Sequence, residues 1–332
     1  MENSNAHSGE FVFIKSVKDG IPNRDPLADS DARRIFDEAD GRISLSDVSL
    51  KRDIRDYILA RFDGLEDHDN HVYVREARTA DNKLLGRASL ATKLREEVGT
   101  VHPEASGLTF KELLTRFAVD VRAFGVTFSV KNEKFDLTGP IQLSWAHSMH
   151  PVETRYVQGT VVMPSKDIDE KRQSGESDAK EQGTIWSSFT LPFAVFVGAG
   201  VVNASIARQT KLSVADVDLI LEGLWRGTQH RQARGRGAQQ PQLLLHVEYE
   251  NPFFRIGDLR EELMLEPSPD EWRSGEAPSD IRGVTLDVTR LAQTLELHSD
   301  KIRRCRVWKQ PRLTLGGDLP DWIERFDDWQ DR

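Results

Sequence analysis

The chain has 332 residues, of which 38% are hydrophobic and 30% are charged, and this balance predicts a soluble globular protein of one elaborated domain or two. Its apolar runs fall well short of the roughly 20 residues that span a bilayer. The polar N-terminal segment lacks the pattern of a signal peptide, so we expect a cytoplasmic protein with no membrane partner. A single cysteine, Cys305, excludes an intrachain disulfide and a zinc site built from several thiolates.

The net charge of −9 argues against nucleic-acid binding, because domains of that class are usually basic. The distribution of charge is more informative than its sum. Basic residues gather around Arg52, at 231–236 and at 301–312, whereas acidic residues crowd 63–69 and the C-terminus. An acidic outer surface with local basic grooves is compatible with RNA held in a defined track.

The first elements along the chain are a strand and a basic helix. Residues 10–17 alternate as a strand does, and a loop rich in Pro, Asp and Asn follows. The helix predicted at 46–62 opens at Ser46, a good N-cap residue, and Asp47 lies in the first turn, where the helix dipole favours an acid. Apolar residues recur at helical spacing, which predicts an amphipathic helix with a cationic outer face.

Three basic residues are predicted on this outer face, namely Lys51, Arg52 and Arg55. Such groups attract phosphates, and free backbone N–H donors near Ser44 and Ser46 would suit a nucleic-acid backbone. The same spacing fits a solvated helix face whose cations pair with Asp53 and Asp56. Spacing alone leaves both interpretations open.

The rest of the pattern predicts an α+β protein. We expect an irregular insertion at 63–108, a helix at 109–124 that ends at Gly125, a polar flexible loop at 164–184 and a buried strand within 186–202. The six main elements are strand, helix, strand, strand, helix and strand, at 10–17, 46–62, 125–130, 141–147, 213–227 (with Ser213 as N-cap) and 242–250. This is the ferredoxin-like order, which RNA-recognition domains use.

A loop rich in arginine and glycine follows the second main helix. It contains Arg231, Arg234 and Arg236, with Gly235 and Gly237 between and after them. Glycines let the backbone approach a ligand closely, and arginines clamp phosphates or stack on bases. The alternative is a flexible surface loop without a ligand.

His147 and His150 stand three apart in an extended segment that ends at Pro151. Spacing of three suits a metal on a helix, but no third ligand is evident, so no metal site is predicted here. Placement near bases or phosphates is one interpretation. A pair of hydrogen-bonded structural histidines is the other.

The sequence contains no common enzyme signature: no dinucleotide or phosphate loop, no nucleophile elbow and no zinc-protease motif. Asp25, Asp29 and Asp31 could bind Mg²⁺ in principle, although the loop lacks the closing Glu of a calcium loop. The alternative function is therefore a metal-dependent ribonuclease that acts on target RNA through the Asp25 loop. A third class is an interaction protein that never touches nucleic acid, as the acidic balance suggests. No cofactor is predicted.

Several segments together are similar to one family: IPNRDP after the first strand, SDVSLKRDIRDYI, LTGPIQLSWAHSMHPV, and the block from GTIWSSF to QLLLHVEYE. They resemble the guide-RNA-binding backbone subunit of type I CRISPR surveillance complexes (Cascade), in its subtype B and C branches. The resemblance covers roughly residues 10–250. It implies an RNA-recognition-type palm with large insertions, arranged as palm, fingers and thumb.

By this resemblance, the palm would comprise 10–62, 109–163 and 185–250. The fingers would be 63–108, the thumb would be the loop at 164–184, and 251–332 would form a C-terminal extension packed on the palm. The family implies a non-catalytic scaffold whose copies assemble along CRISPR guide RNA with other Cascade subunits. Such a scaffold presents the guide to a target DNA strand in antiviral defence.

The resemblance also implies site residues. Guide phosphates would be held by the basic helix, the palm face would be lined by polar groups, and the arginine and glycine loop would reach the guide or a neighbouring copy. The predicted RNA-binding set is Asn23, Arg24, Ser44, Ser46, Lys51, Arg52, Arg55, Gln142, Ser144, His147, Arg231, Arg234 and Arg236. One departure is that Arg24 replaces a glycine of the family's Asn-Gly-Asp-Pro loop, so the family's turn conformation is not carried over.

Overall fold

The computed structural model describes residues 5–37, 39–65, 68–130, 133–161, 185–273, 277–326 and 329. The flexible loop predicted at 164–184 lies outside these residues. No helix within the described ranges is long and apolar enough to cross a membrane.

The described elements mix strands and helices along the whole chain. The strands are β1 (Gly9–Lys18), β2 (Ser44–Leu45), β3 (Gly125–Val130), β4 (Glu133–Thr138), β5 (Ile141–Leu143), β6 (Ala146–Ser148), β7 (Arg155–Thr160), β8 (Ile185–Thr190), β9 (Phe193–Val202), β10 (Ala238–Tyr249), β11 (Met264–Glu266), β12 (Thr285–Asp287), β13 (Ile302–Lys309), β14 (Thr314–Gly316) and β15 (Glu324–Phe326). The α-helices are α1 (Asp47–Arg61), α2 (Arg87–Val101), α3 (Phe110–Phe117), α4 (Val119–Phe124), α5 (Ala204–Thr210), α6 (Val214–His230), α7 (Pro269–Arg273) and α8 (Thr289–Leu297). Short 3-10 helices lie at Pro103–Gly107, Leu259–Glu262, Ile281–Gly283 and Ser299–Lys301.

The main sheet has eight strands in the order β15-β13-β10-β1-β9-β6-β2, with β5 also paired to β9. β1 lies near its centre and runs antiparallel to both β9 and β10. Because successive side chains of a strand point to opposite faces, Phe11 and Phe13 join one apolar cluster, while Val12 and Ile14 join another. The strand is therefore buried on both faces.

Each face of the sheet is covered by a different layer. α1 and α6 pack on the first face, and their apolar residues share a cluster with Phe11 and Phe13. The second face is covered by residues of the C-terminal part, from Leu259 to Ile323, which share a cluster with Val12. β13 and β15 extend the sheet itself, since β13 pairs with β10. The result is a mixed α/β architecture of three layers.

Two helix starts are confirmed at the predicted residues. The Ser46 side chain caps α1 by accepting a hydrogen bond from the Ser49 backbone. Ser213 caps α6 and forms a reciprocal capping box with Asp216. Both caps satisfy backbone donors that a helix N-terminus leaves free. Local chemistry alone was enough to place them.

The single helix predicted at 109–124 is wrong, because the chain breaks into α3 and α4 at Ala118, which has extended backbone angles. The His71 backbone explains the break. Its N–H donates to the Phe117 carbonyl and its carbonyl accepts from the Val119 N–H. A short strand-like bridge thus interrupts the helix at a residue whose two adjacent neighbours, Phe117 and Val119, are apolar.

The segment at 125–130 is a strand, but its predicted place among the main elements is wrong. β3 pairs with β4 in a separate two-stranded sheet, where Phe128 stacks on Phe135. Phe128 belongs to a third apolar cluster, which also contains residues of α2, α3 and α4. The strands of the main sheet that stand between α1 and α6 are β5, β6 and β9. β9 lies between β1 on one side and β5 and β6 on the other, and most of its residues are buried.

Candidate nucleic-acid interface

A cleft of about 590 Å³ opens where the loop after β1, the start of α1 and the loop after α6 meet. We call it the arginine cleft, and its lining residues are Ile21, Pro22, Asn23, Arg24, Arg33, Ser46, Asp47, Val48, Ser49, Arg52, Trp145, Arg231, Arg234 and Arg236. Six of these residues are arginines and one is acidic. In a chain with a net charge of −9, this is a local concentration of positive charge that suits an anionic ligand.

The floor of the arginine cleft is a buried ionic cluster around Asp53. This carboxylate is fully buried, and its Oδ1 accepts from Arg231 Nη1 at 2.8 Å and from Arg236 Nη2 at 3.1 Å. Lys15 Nζ, on β1, lies 3.5 Å from the other oxygen. One carboxylate of α1 thereby joins the central strand to both ends of the arginine and glycine loop.

The close packing of α1 against α6 brings these groups together. Gly227 of α6 lies so near α1 that an added Cβ would overlap the Asp53 carbonyl oxygen, and Gly223 allows a similar approach at Ile54. α6 ends at His230, so Arg231 leaves the helix next to Asp53. Small residues in the helix interface therefore fix the position of the floor.

Positive charge in the floor exceeds what its carboxylate can neutralise. Burial, together with repulsion by Arg236, lowers the pKa of Lys15 to about 8, and attraction by Asp53 offsets only part of this shift. Lys15 Nζ and Arg236 Nε have no hydrogen-bond partner among the described residues. Asp56, 3.4 Å from Arg231 Nε, is the second carboxylate nearby. The floor thus favours a further anion at the cleft.

Arg24 ties three parts of the chain together. Its Nη1 donates to the Ser30 carbonyl at 2.7 Å, and its Nη2 donates to the Phe189 and Gly235 carbonyls, both at 3.0 Å. Arg24 therefore braces the loop after β1 against β8 and the arginine and glycine loop. Its guanidinium is largely committed to backbone carbonyls.

Asn23 connects the same loop to the start of α1. Its Oδ1 accepts from the Ser46 N–H at 2.8 Å and from the Ser46 hydroxyl at 2.9 Å. The Ser46 hydroxyl in turn caps α1, so the hydrogen bonds of Asn23 and Ser46 hold the start of this helix at the cleft wall. Both residues line the arginine cleft, and each is already hydrogen-bonded within the chain.

The rim of the arginine cleft holds the more accessible cations. The Arg52 side chain is 55% exposed and pairs with Asp56 at 3.5 Å and, more distantly, with Glu76. Arg234 is exposed and lies over the Trp186 ring at 4.8 Å, with no ion pair to the part of the chain that the structure describes. Solvent-exposed guanidinium groups such as these can turn toward a phosphate at little cost.

Lys51 and Arg55 do not line the arginine cleft. Both lie beside the Phe124 ring of α4, at 5.5 and 5.4 Å. Arg55 Nε donates to the buried Asp120 at 2.9 Å, and Lys51 pairs with Asp47 at 2.9 Å. Lys51 and Arg55 face the same way, as their spacing of four predicted. The prediction that Arg52 shares this face is wrong, because about 100° separates it from Lys51 around the helix.

Four predicted residues lie on β2, β5, β6 and the segment between the last two, away from the cleft. The Ser44 hydroxyl meets His147 Nδ1 at 3.0 Å across the paired strands. Burial and nearby arginines lower the pKa of His147. Gln142 donates to the Gly139 carbonyl, while Ser144 accepts from the Ala199 N–H and from Arg260. Gln142 and Ser144 line a second cleft of about 370 Å³.

His150 is a hydrogen-bonded structural histidine, as one of the two interpretations had it. Its Nε2 accepts from the Val195 N–H at 3.0 Å, so Nδ1 carries the proton and donates to the Pro151 carbonyl at 2.8 Å. Burial lowers its pKa to about 4. The neutral ring is therefore the form that the fold holds.

The Asp25 loop is closed by its own backbone. The Asp25 N–H donates to the Asp31 carbonyl at 2.7 Å, and Asp25 Oδ1 accepts from the Leu27 N–H. Asp25 Oδ2 lies 3.7 Å from Arg33 Nε. Within the described ranges, no group of three or more His, Cys, Asp or Glu residues is arranged to hold a metal ion.

Sequence reasoning missed three residues at the cleft: Arg33, Trp145 and Trp186. Arg33 and Trp145 line the cleft, and the Trp186 ring lies beneath the Arg234 guanidinium in a cation–π contact. Trp145 stands inside the LSWAHSMHP segment that had already been singled out. It lies between β5 and β6, whereas the sequence predicted one strand at 141–147, so nothing in the pattern marked it as a cleft residue.

Comparisons with known proteins find similar chains among characterised sequences and solved structures. The chain is 29% identical to CRISPR-associated protein Cas7 of Haloferax volcanii over 336 aligned positions, which cover 96% of this chain and 91% of that protein. A chain of a solved structure titled "CRISPR RNA-guided surveillance complex, pre-nicking" matches with a TM-score of 0.54 and 16% identity, over 97% of this chain and 96% of that one. A chain of a second structure, "CRISPR RNA-guided surveillance complex", matches with a TM-score of 0.49, 14% identity and coverages of 96% and 95%.

The model of one protein family, CRISPR-associated protein Cas7, matches residues 7–289. This range contains the arginine cleft, both of the helices that cover the first face of the sheet, and the central strands. The chain belongs to the CRISPR-associated protein Cas7 family.

Proposed function

We propose that this chain is a non-catalytic scaffold that binds CRISPR guide RNA in the arginine cleft. Copies of the chain would assemble along the guide with other Cascade subunits and present it to a target DNA strand in antiviral defence. The observation that carries the proposal is the convergence of six arginines on one cleft of an acidic chain that belongs to the Cas7 family.

The cleft's two levels would act differently on RNA. Rim cations such as Arg52 and Arg234 would contact phosphates directly, since they are exposed. The floor cations Arg231 and Arg236 would act through the excess positive charge that they hold beneath the ligand. Contacts of this kind position a nucleic-acid backbone and carry no base specificity.

The sheet supports an RNA-recognition-type palm for this function. Strands β10, β1, β9 and β6 are neighbours in that order, and α1 and α6 pack on one face. Taken in chain order, β1, α1, β6, β9, α6 and β10 run strand, helix, strand, strand, helix, strand, which is the order of the ferredoxin-like motif. The fingers, the thumb and the subtype B and C branch remain our predictions from sequence.

The proposal is tested by reversing the charge of the rim. We expect the double variant R52E/R234E to bind single-stranded RNA much more weakly than the parent protein. The slope of log affinity against log salt concentration should become shallower by about 0.7 for each phosphate contact that is lost. Affinity for a fluorescent RNA oligonucleotide would be measured between 50 and 300 mM salt, roughly the range in which counterion release is apparent.

The matched control is R282E/R290E, which makes the same charge change at two exposed arginines of the C-terminal part. If both double variants lose RNA affinity equally, net charge and not the arginine cleft governs binding. If neither loses affinity, RNA does not occupy the cleft. Absence of nucleic acid from the natively purified protein would favour an interaction protein instead.

The alternative, a metal-dependent ribonuclease that acts through the Asp25 loop, remains a prediction. It is tested by incubating the protein with target RNA and Mg²⁺, with Asp25→Ala as the comparison. Cleavage that disappears in Asp25→Ala would overturn the non-catalytic proposal.

A further inference from the structure

Three of the chain's seven tryptophans belong to none of the apolar clusters formed by the described residues: Trp145, Trp186 and Trp322. A large aromatic side chain that the core does not use is unusual, because tryptophan gains much from burial. Trp322 is accounted for by a hydrogen bond to Glu296 on the C-terminal part. Trp145 lines the arginine cleft and makes no side-chain hydrogen bond in the described structure.

The backbone of Trp145 is held rigidly. It joins β5 to β6, both of which pair with β9, and the preceding residue donates its N–H to the Ala199 carbonyl at 2.8 Å. Arg260, from the C-terminal part, donates to the Trp145 carbonyl at 3.2 Å and is itself paired with Asp258. Because the backbone is already fixed, only the side-chain torsions of Trp145 remain to be ordered when a ligand packs on it.

Trp145 gives the cleft an aromatic wall. The Arg33 guanidinium lies 5.9 Å from its ring centroid, and the Val48 side chain, 65% exposed, lines the same cleft. A phosphate ion would contact only the cations of the cleft, and the side chains of Trp145 and Val48 would remain without a ligand contact. A nucleotide uses both, since its base has an apolar π-face and its phosphate is anionic.

We propose that Trp145 is a base-stacking residue of the arginine cleft, on which one base of the bound single strand packs while rim arginines hold the adjoining phosphates. This inference rests on the proposed function. Stacking is tolerant of sequence because every base has a π-face, so Trp145 would add affinity without selecting a base. It would also fix the register of the strand relative to the cleft.

The test compares two probes: a short single-stranded RNA, and an oligonucleotide of the same length whose central positions are abasic. We expect Trp145→Ala to bind the RNA about ten-fold more weakly and to bind the abasic probe as the parent does. Trp145→Phe should restore most of the affinity, because a phenyl ring still stacks. Salt dependence should be unchanged in both variants, since no phosphate contact is lost.

The matched control is Trp322→Ala, which removes an exposed tryptophan of the C-terminal part and should leave both affinities unchanged. If Trp145→Ala unfolds, Trp145→Leu replaces it, because leucine keeps apolar volume but cannot stack. Equal weakening on both probes would overturn the stacking role and leave Trp145 as a structural residue. Unchanged affinity in a folded variant would overturn it as well.

These outcomes are distinct from failure of the proposed function. In that case the parent protein itself would bind neither probe, and the stacking role would fall with it. Parent binding that is normal, together with unaltered Trp145 variants, would leave the arginine cleft as an RNA site and remove only the stacking residue.

Discussion

The floor and the rim of the arginine cleft contain the same kind of side chain in opposite environments. Arg231 and Arg236 on the floor are largely buried and share Asp53, whereas Arg52 and Arg234 on the rim are exposed. Buried ionic groups must be compensated, so removing one partner costs folding free energy. Exposed ones contribute little to folding and remain available to a ligand. A cationic loop can therefore serve stability and binding with different residues.

Removing the Asp53 carboxylate should give the largest difference in folding stability between the floor and the rim. We expect Asp53→Ala to lower the free energy of unfolding by about 3–5 kcal/mol, because three buried cations lose their shared carboxylate. Denaturant unfolding measures this change. The control is Asp56→Ala, which removes a partly exposed carboxylate near Arg231 and should cost less than about 1 kcal/mol. Equal costs would remove the distinction between floor and rim.

A smaller effect is expected from Lys15, through the pH dependence of stability. Its pKa is about 8 in the folded protein, below the ordinary value of 10.5. Between these two values the unfolded chain binds more protons than the folded one, so this group makes the protein more stable as pH rises from about 8 toward 10.5. In Lys15→Met this contribution should vanish, which unfolding curves at several pH values would show. An identical slope in parent and variant would contradict the assignment.

The smallest expected effect is on the stability of a rim variant. Arg52→Ala should change the free energy of unfolding by no more than about 1 kcal/mol, because its ion pairs with Asp56 and Glu76 are exposed. Its RNA affinity should fall nonetheless. A destabilisation as large as that of Asp53→Ala would show that Arg52 belongs to the structural group.

The helix caps and the strand β1 were predictable from sequence because their signals are local. The capping hydrogen bonds of Ser46 and Ser213 each join residues three apart in the chain. The partners of Arg231 and Arg236 are not local, since Asp53 lies 178 and 183 residues away in the chain. No pattern in the sequence distinguishes a buried arginine from an exposed one when the carboxylate comes from another element.

The same limit explains the two errors on α1 and the sheet. Arg52 and Arg55 both look like outward cations, but Arg55 meets the buried Asp120, 65 residues further on. The strand at 125–130 has a valid local pattern, yet its partner is β4 and not the main sheet. Side-chain periodicity identifies a strand and says nothing about the strand beside which it pairs.

Gly227 determines the separation of α1 and α6, and with it the position of Arg231 and Asp53 on the cleft floor. It lies inside a helix, outside the cleft lining. If RNA binds in the arginine cleft as proposed, substitutions at Gly227 should weaken that binding indirectly, because they would displace the cleft floor. Maps of tolerated mutations in this chain should show an intolerant glycine one helical turn before the end of α6. If that glycine were interpreted as an RNA contact, the ligand would be placed wrongly.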